Sequence, residues 1–202
     1  KFITIGSKKV WAQRLSYVGE LGFEIYMDNK DAKEVYQLII KEGKNHNLSH
    51  CGSHAMDTMR MESGFLHWGH DISPEENQYE AGLNFAISYK KETNFIGKES
   101  LLKIKNKAQN RRFIMLSLTD NTPGAPLLLH EEPIYLKEKI IGRTTSGNYS
   151  FNYKKNLSFG YVKSEHTNEE LTKMDLYIEV AKKKYPVIVE LTSLKDKQAK
   201  FL

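Results

Sequence analysis

The second half of the chain constrains the fold most. Six short apolar segments follow one another there: Phe113–Leu118, Ile134–Leu136, Ile140–Thr145, Leu157–Val162, Leu176–Ala181 and Tyr185–Leu191. Turn signals separate them, such as Pro123-Gly124, Lys137-Glu138-Lys139 and Lys182 to Lys184. Short strands at regular spacing, punctuated this way, close into a barrel or stack as a sandwich.

The first half has a mixed texture. Two alternating strands are expected to open it, the second running from Trp11 to Val18 and ending at the glycine turn Gly19-Glu20-Leu21-Gly22. Phe23 to Met27 reads as a third strand, with Phe23, Ile25 and Met27 on one face and Glu24 and Tyr26 on the other. Asp31 to Glu42 has helical periodicity through Val35, Leu38 and Ile39, with Gly43 as its stop. Ser53 to Ser63 is a second helix with Ala55, Met56 and Met59 as its apolar stripe. Leu83 to Tyr89 reads as a strand, and Gly97 to Lys107 as a short helix. The polar stretch Lys105 to Asn110 marks a boundary, so two domains are expected, 1–106 and 107–202. The fold class is α+β, an α+β half-domain followed by a small all-β domain.

Composition narrows the function. Hydrophobic residues make up 40% of the 202 residues, enough for a core, and no apolar run approaches the ~20 residues of a membrane helix. Cys51 is the single cysteine, so no internal disulfide forms and a reducing compartment is expected. Cys51 itself reads as a small buried hydrophobe rather than a nucleophile. The net charge of +5 comes from scattered lysines without a groove-reading motif, which argues against nucleic acid and leaves small anions as partners. The sequence opens on Lys1-Phe2-Ile3-Thr4-Ile5, mid-strand in character, and is read as part of a longer polypeptide.

Few constellations carry chemistry. His46, His50 and His54 are spaced by four, but Gly52 interrupts a helix through them and no carboxylate completes a zinc site; surface histidines are the plainer reading. His67 and His70 flank Trp68-Gly69, where contact with a ligand and simple loop shaping weigh evenly. Asp57 and Arg60 read as an intrahelical ion pair. Glu24 is the best single candidate, because a carboxylate held on a strand can accept two parallel N–H bonds. On spacing alone an exposed strand glutamate remains the plainer reading of it.

Several stretches resemble the glycine-cleavage T-protein (aminomethyltransferase) family. Arg14-Leu15-Ser16-Tyr17-Val18-Gly19-Glu20-Leu21-Gly22-Phe23-Glu24-Ile25 resembles its R-x-S-Y-T-G-E-x-G-[FY]-E-[IL] stretch. Met56 to Gly64 resembles its D-x-L-R-L-E-x-G helix, Glu80-Ala81-Gly82-Leu83 its E-A-G-L, and Phe95 to Leu101 its F-I-G-[RK]-E-A-L. Ile141 to Gly147 is similar to I-G-x-V-T-S-G, and Phe159-Gly160-Tyr161-Val162 to A-x-G-Y-V.

The resemblance implies the second half of a folate-binding domain followed by the family's C-terminal β-barrel. It implies tetrahydrofolate as cofactor, held by Tyr17, Glu24, Ile25, Tyr26 and Phe85, with Glu24 gripping the pterin edge, and no metal. It thereby reverses the plainer reading of Glu24. It implies one-carbon transfer giving 5,10-methylenetetrahydrofolate, with a small methylamine-derived substrate. No catalytic residue is assigned, because the family's acid–base Asp is expected upstream. The chain alone is then expected to bind folate weakly, and self-association through open strand edges is left open.

Met56 stands where T-proteins proper carry an Arg, and His67-Trp68-Gly69 is similar to the sarcosine and dimethylglycine dehydrogenase branch. That branch implies FAD in an upstream flavin domain, and a cytoplasmic or mitochondrial-matrix location. The end of the chain, 195–202, keeps little of that branch's D-P-x-x-K-R-x-R ending. The alternatives are a free-standing aminomethyltransferase and a non-enzymatic regulatory relative. Ser16 and Glu20 stand where the iron–sulfur-assembly relatives carry Cys and Gln, against that last option.

Overall fold

A computed structural model describes residues 1–195, which divide into two units, 1–60 and 61–195. In the first, β1 (Phe2–Ile5), β2 (Lys8–Gln13) and β3 (Glu24–Tyr26) form an antiparallel sheet in the order β1-β2-β3. Side chains alternate across a strand, so Lys8, Val10 and Ala12 share one face and Lys9, Trp11 and Gln13 the other. Helix α1 (Asn29–Gly43) covers the first face. Val10 and Val35 are buried there, and Lys8 Nζ reaches Asp31 at 3.1 Å and Glu34 at 3.2 Å. A Cβ on Gly6 would sit 2.6 Å from Leu38 Cδ1, so the β1–β2 turn lies directly against the helix.

Four details of this unit differ from expectation. The second strand ends at Gln13 rather than Val18, because Leu15 N–H donates back to the Gln13 carbonyl and Val18 N–H donates to Ser16 Oγ. Such local bonds compete with a sheet ladder and turn the chain out of it. Gly43 does not stop α1 by a left-handed turn. The chain runs on through a 3-10 turn, Lys44–His46, and Asn47 takes the left-handed conformation at φ 55°. Gly43 serves close packing instead, since a Cβ there would lie 2.7 Å from Leu48 Cβ. In α2 (Ser53–Glu62), Ala55 and Met56 are exposed, whereas Thr58 and Arg60 are buried. Cys51 is exposed too, contrary to the buried reading.

The second unit carries a closed barrel in the order β4-β7-β6-β5-β8-β9. Its strands are β4 (Arg111–Leu118), β5 (Pro133–Leu136), β6 (Lys139–Ser150), β7 (Lys155–Lys163), β8 (Leu176–Val180) and β9 (Lys183–Glu190). Ile114, Leu116 and Leu118 of β4 point inward, joining Ile134, Val162, Leu176, Ile178 and Val189 in one core. β4 and β7 are buried on both faces. Met115, Leu157 and Phe159 form a second cluster with Met61 on the outside, covered by Leu66, Phe113 and Leu194. That double burial is why both strands read as nearly continuous apolar runs.

Here too the structure corrects the sequence. Leu83–Tyr89 is not a strand. Successive turn bonds, Leu83 N–H to the Gln78 carbonyl and Ala86 N–H to the Leu83 carbonyl, wind it into a 3-10 turn at Asn84–Ala86. The helix expected over Gly97–Lys107 is α3 (Lys98–Ile104). β6 extends five residues past Thr145 to Ser150, because its hydroxyls find partners inside the unit. A one-turn helix, α4 (Asn168–Leu171), plugs Leu171 into the barrel core.

Candidate functional site

The open face of the three-stranded sheet is built by register. Phe2 pairs with Trp11 and Trp11 with Tyr26, so one aromatic from each strand stands in a row. The Trp11 and Tyr26 rings lie 5.3 Å apart, and the three side chains are 64%, 41% and 46% exposed. In the next row Gln13 pairs with Glu24. The Tyr26 hydroxyl donates to Glu24 Oε2. That bond to the carboxylate raises the Tyr26 phenol above its ordinary value, with burial adding and the Gln13 side chain opposing. Tyr26 therefore stays a protonated donor and fixes Glu24 by one oxygen. The half-buried carboxylate keeps acceptor capacity for a donor pair on a ligand.

Of the residues the family resemblance singled out, Glu24 and Tyr26 are brought together on this face. Ile25 pairs with Ala12 and points to the α1 side of the sheet. Tyr17 is half-buried in the loop between β2 and β3. Phe85 lies in the other unit, 82% exposed on the 3-10 turn. Trp11 and Gln13 complete the face and were not singled out from the sequence. Their signal was the period-two alternation of β2 once its end is placed at Gln13.

A second polar region lies in the barrel unit. Asp71 is buried and accepts from Thr145 Oγ1 at 2.5 Å, Ser146 Oγ at 2.8 Å and the His67 backbone N–H at 2.9 Å. Glu62 is buried and accepts from Ser150 Oγ at 2.7 Å and Asn152 Nδ2 at 2.8 Å. The glycines of these motifs mark close approach, since a Cβ on Gly142 would sit 2.0 Å from the Tyr161 carbonyl oxygen and one on Gly147 2.6 Å from Leu128. These carboxylates fasten the 62–72 segment to β6, so several motif residues are structural. Arg60 is also buried and donates through Nε to Asp57 Oδ1 at 2.7 Å, more than a surface ion pair.

His67 and His70 lie with ring centroids 4.6 Å apart, and His130 is 6.5 Å from His70, all exposed. Among the described residues no group of three His, Cys, Asp or Glu side chains is placed to hold a metal ion.

Two family models match the chain. The GCVT N-terminal domain matches residues 1–91, and the glycine cleavage T-protein C-terminal barrel domain matches residues 111–196. The chain belongs to the glycine-cleavage T-protein family. Within the family it is 34% identical over 190 residues to mitochondrial dimethylglycine dehydrogenase of Rattus norvegicus, covering 94% of this chain and 21% of the relative. It is 37% identical over 163 residues to an aminomethyltransferase of Listeria monocytogenes serotype 4b (strain F2365), covering 81% of this chain and 43% of that one. The chain thus spans less than half the length of either relative. The T-protein fold also appears in the solved structure of glycine cleavage system aminomethyltransferase T from Bartonella henselae. That match has a TM-score of 0.79 at 22% identity, over 92% of this chain and 50% of the other. The barrel expected from the sequence is the closed six-stranded one observed.

Proposed function

We propose that this chain is the tetrahydrofolate-binding portion of a one-carbon transfer enzyme, and that the Glu24–Tyr26 face holds the folate. The observation that carries the reading is the Glu24 carboxylate, pinned by Tyr26 beside an exposed aromatic row. The residues fit the group. A carboxylate offers acceptors for the paired N–H donors of a pterin edge, and Trp11 and Tyr26 offer flat apolar contact. The folate nitrogens supply the chemistry of accepting a one-carbon unit. This chain's residues bind the head and orient it.

The family membership and the likeness to dimethylglycine dehydrogenase support a methylated amine as the carbon source and 5,10-methylenetetrahydrofolate as the product. They also support an upstream flavin domain. The aminomethyltransferase likeness supports the alternative, a free-standing enzyme of glycine cleavage. The family's acid–base Asp is placed, in this reading, outside the chain. The domain division stands as a proposal at 1–106 and 107–202, supported by the interval 92–110 between the two family matches.

The test is titration with 5-formyl-tetrahydrofolate, read by ligand-observed saturation-transfer NMR so that weak binding registers. Glu24→Gln removes the charge and the paired geometry, and should lower affinity by about 2 kcal/mol, roughly thirtyfold. Equal affinity in parent and variant would remove Glu24 from the site.

A further inference from the structure

The sheet face does not end at Glu24. Two residues back along β2 from Gln13 stands Trp11, and two further back stands Lys9 on the same face. Lys9 is exposed, and its Nζ lies 4.6 Å from the centroid of the Phe2 ring on β1. At about 3.3 Å of rise per residue, Lys9 and Gln13 are about 13 Å apart along the strand. The face therefore carries a carboxylate at one end and an ammonium at the other. Between them the aromatic row of Phe2, Trp11 and Tyr26 crosses all three strands. On the opposite face the Lys8 ammonium is already engaged by Asp31 and Glu34 of α1.

A surface of this kind matches an elongated ligand with hydrogen-bond donors at its head, an aromatic middle and an anionic tail. Resting on the folate reading above, we propose that Phe2, Trp11 and Lys9 extend the Glu24 site into a track for the ligand's benzoyl ring and carboxylate tail. The aromatic row provides stacking area. Lys9 provides the counter-charge, held near its working position by the Phe2 ring beneath it. An exposed ammonium attracts a carboxylate weakly and in a salt-dependent way, so Lys9 contributes to tail selectivity more than to total affinity.

The experiment compares two ligands on three proteins. The ligands are 5-formyl-tetrahydrofolate, which carries the benzoylglutamate tail, and 6-methyl-tetrahydropterin, which lacks it. The proteins are the parent chain, Lys9→Glu and Glu24→Gln. Lys9→Glu is expected to weaken the tailed ligand by about tenfold at low salt, less at high salt, and to leave the tail-less ligand unchanged. Glu24→Gln is expected to weaken both. If the parent binds both ligands equally, or if Lys9→Glu weakens both equally or neither, the track is overturned while the Glu24 site stands. If Glu24→Gln weakens neither ligand, the folate reading itself falls, and the track falls with it. Both substituted side chains stand on the open sheet face and not in a core, so circular dichroism spectra of the variants should overlay that of the parent.

Discussion

Glu24 and Asp71 are both carboxylates that accept from a neighbouring hydroxyl, in different units of the molecule. Glu24 stands on an open sheet face with one oxygen taken by Tyr26. Asp71 is buried and accepts from two hydroxyls of β6 and one backbone N–H. The functional group is the same and both lie in or beside family motifs. Burial separates their roles. A buried, multiply bonded carboxylate is already used by the fold, and removing it strands its partners. A half-exposed one with acceptor capacity left can serve a ligand, and its loss leaves the fold nearly untouched.

The largest expected effect tests the buried side. Asp71→Ala leaves Thr145 and Ser146 without their acceptor, and should lower stability by about 3 kcal/mol in urea unfolding. A loss under about 0.5 kcal/mol would mean that the 62–72 segment is not fastened through Asp71. Thr145→Val removes one of the bonds and fills the same space. It should cost about 1 kcal/mol, and combined with Asp71→Ala it should add almost nothing, since the two share one interaction.

Tyr161 sharpens the contrast from another direction. Its hydroxyl is buried in the barrel unit with no hydrogen-bond partner. Burial pushes the phenol well above its ordinary value, and the nearby Glu76 carboxylate adds to this against Arg111. The folded state therefore binds this proton more tightly than the unfolded chain. The resulting stability is fully present below the unfolded tyrosine's value of about 10 and is lost as pH rises toward the folded value. Tyr79 shifts the same way, pushed up to about 12 by burial and by its bond with Tyr89. Tyr161→Phe should change stability by less than about 1 kcal/mol at pH 8. Relative to the parent it should lose less between pH 9 and 11, as read from urea midpoints. An equal alkaline loss would show that the Tyr161 phenol does not drive it.

Much of the barrel was legible because its strands announce themselves by alternation or by continuous apolar runs between turn residues. β6 was read as ending at Thr145, since Ser146 and Ser150 look like solvent-facing polar residues until their partners Asp71 and Glu62 are known. α4 was missed although Thr167 and Glu170 form a capping box visible as T-x-x-E. Around the candidate site, period two correctly put Glu24 with Tyr26. The contribution of Trp11 and Gln13 depended on register, which a strand reading to Val18 obscured. The C-terminal departure noted over 195–202 lies almost wholly outside the described residues.

The central claim is that the Glu24 face binds ligand while the Asp71 network holds the fold. Urea midpoints and 5-formyl-tetrahydrofolate affinities, measured side by side for Glu24→Gln and Asp71→Asn, test it most directly. Glu24→Gln should keep its midpoint and lose roughly thirtyfold in affinity, whereas Asp71→Asn should lower the midpoint and, while still folded, keep its affinity. A Glu24→Gln protein that unfolds early yet binds as tightly as the parent would contradict the account.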